Sequence, residues 1–177
     1  MATYKIKDYT VGPTEEFFFD TNVWMLLFAP LAGSKKNEQR AYSSFLGEII
    51  TRGATIWINS QVIAEYVNKS LRMEFEAWKK RETKYGADFK KDFRPTAEYA
   101  TTLKDTENQV SAILQKCTKG PDDFHTVEVV KMISSMAHNY DYGDAVIIDF
   151  CQRKKIKLVT DDSDITKLEF SFPVITA

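Results

Sequence analysis

At 177 residues the chain is long enough to bury a proper core as one domain. With 44% hydrophobic and 28% charged residues it has an ordinary globular composition, and a formal net charge of −1 excludes a strongly basic nucleic-acid binder. Contact with a polyanion must then come from a local basic face. Two cysteines, Cys117 and Cys151, exclude a disulfide framework, and neither sits in a CxxC pair that would suggest zinc. A reducing, cytoplasmic setting is expected. The opening MATYKIKDYT has no apolar run of signal-peptide length, and no apolar stretch is long enough to span a bilayer, so no membrane association is expected.

The first sixteen residues are polar and irregular, an arm or edge segment. Phe17-Phe18-Phe19-Asp20 is a short apolar run, as expected for a buried strand. A helix is predicted from residue 22 to about 29, stopped by Pro30, with a turn at 34–37. Ala41, Phe45, Leu46, Ile49 and Ile50 recur at helical spacing, and Gly53 is placed to stop that helix. Residues 54–59 (ATIWIN) read as a second strand. Ser60 is the predicted cap of a helix running through Val62, Ile63, Tyr66 and Val67 toward Lys84.

Residues 86–95 form a polar break ending in Pro95. Helical patterns follow at about 96–117 and 123–139, the second capped by Asp122 after Gly120-Pro121. A helix over 143–154, a third strand at 156–160 (IKLVT), a short helix at 163–169 and a last strand at 172–176 complete the chain. Strands separated by helices need crossover connections, hence an α/β fold with a mainly parallel sheet covered on both faces. Trp24 and Trp57 read as core. His125 and His138 have no partner at ligand spacing and read as surface or packing residues.

The acids fall in a pattern. Asp20 ends the first strand, and Asp161 and Asp162 follow the third. Asp144 opens a helix, and Glu65 lies in the first two turns of the helix after the second strand. In open parallel sheets, sites lie beyond the carboxyl ends of the strands. Four acids from distant parts of the chain can therefore converge. Each also has a structural alternative: a helix cap for Asp20, an exposed helical glutamate for Glu65, a charge on a helix dipole for Asp144 and a turn residue for Asp162. Convergent carboxylates repel unless a cation neutralises them, and hard divalent cations prefer oxygen ligands. Such a site activates water and stabilises charge at phosphorus.

The segments FFFDTNVW, INSQVIAEYVNK and GDAVIIDFCQRKKIKLVTDDSDI resemble, in order, three motifs of the PIN-domain family of ribonucleases. The resemblance implies a three-layer α/β/α sandwich and Mg2+- or Mn2+-dependent endonucleolytic cleavage of RNA. It implies Asp20, Glu65, Asp144 and Asp162 as catalytic, metal-binding acids, with Asp164 as a further acid and Asp161 as rival to Asp162. Asn22 and Thr160 resemble the family's polar supports. Many small bacterial members are VapC-type toxins held by an antitoxin, so an antitoxin partner and a homodimer are the associations it suggests. One departure stands out: Glu65 and Asp144 are 79 residues apart, longer than in small toxin members. The chain thus reads as one PIN-like domain over 1–177, with a helical insertion at about 70–125 that extends an RNA grip, builds a dimer interface or serves another partner.

Segment 69–94 carries nine bases against five acids, interleaved with Phe75, Trp78 and Tyr85 and preceded by Tyr66. Arg72, Lys79, Lys80, Arg81 and Lys84 are its candidates for RNA contact, with the aromatics stacking on bases. A solvated helix with its own ion pairs is the alternative. Two other functions compete. A haloacid-dehalogenase-like phosphatase is suggested by Gly143-Asp144 with Asp149 and by Asp20 as nucleophile, but Asn22 stands where its general acid belongs. A noncatalytic RNA- or protein-binding module would have lost one or more acids, and the full set is present.

Overall fold

Phe17, Phe18 and Phe19 are all fully buried, which only a strand covered on both faces allows. The computed structural model describes residues 3–29, 35–136 and 140–177. Pro30, Ser34, His138 and the end of the helix expected over 123–139 lie outside the described residues. The strands are β1 (Thr3–Lys5), β2 (Glu16–Phe19), β3 (Thr55–Ile58), β4 (Thr118–Lys119), β5 (Lys157–Val159) and β6 (Val174–Thr176). They form one parallel sheet in the order β1-β6-β5-β2-β3-β4.

The helices are α1 (Thr21–Phe28), α2 (Lys36–Arg52), α3 (Ser60–Arg81), α4 (Ala97–Leu114), α5 (Val129–Ser135), α6 (Tyr142–Lys154) and α7 (Ser163–Thr166). Phe17 and Phe19 pack on Phe45 of α2, whereas Phe18 packs on Phe150 of α6. Successive strand residues point to opposite faces, so α2 and α6 cover opposite sides of the sheet. The fold is the expected three-layer α/β/α sandwich. Among the described residues no helix is long and apolar enough to cross a membrane.

The chain leaves β2 toward β3 and β4 and returns through α6 to β5 on the other side of β2. The order reverses at β2, so the carboxyl ends of β2 and β5 flank a topological switch point. Register holds them level: Phe19 stands opposite Val159, and the Asp20 amide donates to the Val159 carbonyl at 2.9 Å.

Several local expectations change. The opening arm is an edge strand, β1, and β4 adds an unforeseen two-residue strand at the other edge. Helix α2 begins at Lys36, inside the expected turn, and ends as expected at Gly53, whose φ of 73° suits glycine. Asn59, not Ser60, caps α3 by accepting from the Val62 amide, and α3 ends at Arg81. Asp122 does not cap the helix that follows it; its carboxylate accepts from the amide and hydroxyl of Ser60, the first residue of α3. Helix α5 begins only at Val129.

The polar break at 86–95 contains a π-helical turn over Phe89–Phe93. Its two phenylalanines are buried against Leu71, Phe75 and Trp78, a second apolar cluster apart from the main core.

Candidate active site at the switch point

Asp20 occupies the N-cap position of α1, yet its side chain caps nothing there. The residue is 4% exposed, and its carboxylate accepts from the Thr160 hydroxyl at 2.7 Å. Burial pushes its pKa up to about 6; the Thr160 hydrogen bond opposes this, and the charges of Glu65 and Asp144 add to it. A capping side chain bonds to its own helix, and the Asp20 carboxylate bonds to Thr160 instead.

Thr160 is fully buried at the end of β5. Its hydroxyl donates to Asp20 and accepts from the Asp162 amide at 3.0 Å and the Asn22 amide group at 3.4 Å. Asn22 Oδ1 accepts from the Asp161 amide at 3.2 Å. The two polar supports thus tie the segment after β5 to the start of α1.

Asp144 lies in the first turn of α6. It forms a reciprocal capping box with Asp141, each backbone amide bonded to the other's carboxylate. Burial raises its pKa; the Asp141 amide opposes this, and the charges of Asp141, Asp162 and Glu65 add to it. Glu65 accepts from the Thr21 hydroxyl at 2.8 Å and pairs with Lys69 at 2.5 Å. Asp162 caps α7 by accepting from the Asp164 amide.

The charges of Glu65 and Asp144 therefore act on Asp20, those of Glu65 and Asp162 act on Asp144, and a donor anchors one oxygen of each of the four acids. The two rival acids are otherwise engaged. Asp161 pairs with Lys35 at 2.5 Å and accepts from Tyr42, while Asp164 pairs with Lys167 at 3.1 Å. Asp149 is held by Arg153.

Carboxylates gathered where burial and neighbouring charge disfavour ionisation, as at Asp20 and Asp144, are the chemistry a hard divalent cation relieves. Among the described residues, no three such side chains stand close enough to hold a metal ion as they are. Among the cations that reach the acids, Lys69 pairs with Glu65 and acts on Asp20, while Lys35, paired with Asp161, feels the charge of Asp162. Sequence reasoning missed Lys69, Thr21, Asp141 and Tyr42. The signals were present but weak: Glu65–Lys69 is an i,i+4 pair, and Asp141-x-x-Asp144 is a capping spacing.

The basic segment is built differently from its reading. Tyr66, Phe75 and Trp78 are buried and unable to stack on bases; of those aromatics Tyr85 is exposed. Arg72 lies 4.2 Å from the Phe89 ring centre, Lys79 and Lys84 cover Phe75 and Trp78, and Arg81 pairs with Glu74. Between α3 and α4 runs a groove of about 670 Å3 lined by Lys69, Arg72, Met73, Lys80, Thr102 and Gln109, among others.

Comparison with known proteins agrees with this architecture. The PIN domain family model matches residues 17–171. No curated protein matches. Among solved structures, the crystal structure of VapBC2 from Rickettsia felis bound to a DNA fragment from their promoter is similar in fold. It has a TM-score of 0.52 and 11% identity over 92% of this chain and 99% of that one.

Proposed function

We propose that this chain, which belongs to the PIN domain family, is a divalent-metal-dependent endoribonuclease and the toxin of a toxin–antitoxin pair. Members of the family are generally nucleases. The observation that carries the finer reading is the crowding of carboxylate charge at the sheet's switch point, where Glu65 and Asp144 act on buried Asp20 and Glu65 and Asp162 act on Asp144. The likeness in fold to a VapBC2 complex supports an antitoxin partner. Unpaired Cys117 and Cys151 suit a reducing compartment, and we place the protein in the cytoplasm. We take residues 1–177 as one domain, with the stretch at about 70–125 as its insertion.

In this reading the four acids hold Mg2+ or Mn2+, which supplies Lewis-acid activation of water and neutralises charge at phosphorus. The chain's own work is positioning. Thr160 fixes Asp20, Thr21 fixes Glu65, the Asp141 amide fixes Asp144 and the Asp164 amide fixes Asp162. The α3–α4 groove, with Arg72 and Lys80 along it, is the proposed track for the RNA backbone.

The deciding assay incubates purified protein with single-stranded RNA and Mg2+ or Mn2+, then with EDTA. Asp20→Asn and Asp144→Asn serve as controls. Cleavage is expected to require metal and both acids. Cleavage that survives EDTA or both substitutions would overturn the mechanism.

A further inference from the structure

Lys69 lies one turn after Glu65 on α3, and its ammonium is 2.5 Å from Glu65 Oε1. Exposed i,i+4 pairs of this kind abound on helices and contribute only a few tenths of a kcal/mol. Lys79 and Lys104 pair with surface glutamates, whereas the partner of Lys69 is a proposed metal ligand whose other oxygen is already taken by the Thr21 hydroxyl, so both Glu65 oxygens are occupied. Burial works against the charge of Lys69, but Glu65 first, then Asp20 and Asp144, hold its pKa above the ordinary lysine value. The effect is mutual, since Lys69 lowers the pKa of Asp20. Lys69 also lines the α3–α4 groove.

A cluster of carboxylates around a half-buried ammonium is already partly neutralised. Among the described residues no three acids stand close enough to grip an ion, and Glu65 is engaged by Lys69. We propose that Lys69 is the resident counter-cation of the acid cluster. It neutralises Glu65 and screens Asp20 and Asp144 in the metal-free protein, and it must release Glu65 before a divalent ion can bind there. The proposal rests on the metal-site reading above. It makes Lys69 a positioning residue that sets metal affinity, and a compact, mobile ammonium suits a contact that must be made and broken.

The test uses the full chain stripped with EDTA, titrated with Mn2+ by calorimetry and melted without metal. Lys69→Met is expected to bind Mn2+ about tenfold more tightly than the unaltered protein, as removal of one cation from beside the site predicts. Its metal-free Tm is expected to fall by roughly 2–4 °C, since the acids lose their partner. Lys69→Arg, which keeps the charge, and Lys80→Met, which removes an exposed cation from the same groove, are expected to stay within about threefold of the unaltered affinity. Lys69→Gln repeats the measurement should Lys69→Met fold poorly.

Unchanged or weaker Mn2+ binding by the uncharged Lys69 variants, with binding by the unaltered chain intact, overturns the role of Lys69 and leaves the metal site standing. Equal tightening by Lys80→Met overturns it as well, because general charge would then explain the effect. Absence of Mn2+ binding in every variant overturns the metal site and the proposal together.

Discussion

Thr160 brings no charge to the site, yet Asp20, Asn22 and the Asp162 amide all bond to its hydroxyl. Thr160→Val keeps the shape and removes those bonds, leaving buried polar groups without a partner. A loss of about 1–3 kcal/mol in urea unfolding is expected, together with a fall in RNA cleavage. An unchanged midpoint would show that the hydroxyl is not the hub. Asp20 should behave in the opposite way. Its folded pKa is raised from 3.8 to about 6, chiefly by burial, so folding favours the neutral form. The stabilising contribution is complete below pH 3.8 and is lost as pH rises through about 6. Asp20→Asn cannot ionise. The metal-free variant should melt above the unaltered protein at pH 8, by an amount on the order of 2 kcal/mol that shrinks toward pH 4.5, while cleavage is abolished. Equal Tm values across that range would contradict the burial penalty.

At the level of elements, the π-helical turn is where sequence and structure part most. Phe93 is fully buried, with its ring 5.3–5.6 Å from those of Trp78, Phe75 and Tyr99. This cluster closes the far end of the α3–α4 pair and shares no buried residue with the main core. Phe93→Ala is expected to cost about 3–5 kcal/mol where it acts. Hydrogen exchange should then rise over residues 71–99 while β2 and β5 stay protected. A uniform rise would mean that both cores unfold together. Such a turn is hard to foresee because Phe89 and Phe93 stand among Asp88, Lys90, Lys91 and Asp92, and a single i,i+4 pair suits one face of a helix or of a strand and fixes neither. The two-residue β4 has no period to detect. By contrast, the Phe17–Phe19 run, the 41–50 periodicity and Gly53 are local signals that tertiary packing did not override. The acids of the site were legible because each sits beside a strand end or helix start. Of their supports, Asn22 and Thr160 were legible through the motifs, but Thr21 and Tyr42 were not, because the bonds from Thr21 to Glu65 and from Tyr42 to Asp161 join residues distant in sequence.

For the molecule as a whole, a parallel sheet must end somewhere, and an uncovered edge offers unpaired backbone groups to any other strand. Both edges here are minimal. At one, β4 is two exposed residues, Thr118 and Lys119; at the other, β1 is three exposed residues, Thr3 to Lys5. Short, exposed strands bearing a lysine are poor templates for pairing. The strand behind β1 is different: Val174 and Ile175 of β6 are buried, and the Ile175 carbonyl accepts from the Thr160 amide, so β6 supports the segment that carries the site. Removal of residues 1–8 would uncover the β6 ladder while keeping Tyr9, which packs on Phe17 and Phe45. The truncated chain should melt at a lower temperature and show higher-mass species than the full chain in light scattering after gel filtration. Cleavage should weaken with it, because slack in β6 reaches Thr160 through one hydrogen bond. An unchanged mass profile and Tm would mean that β1 merely decorates the edge, and that β5 and β2 alone keep Asp20 and Thr160 in register.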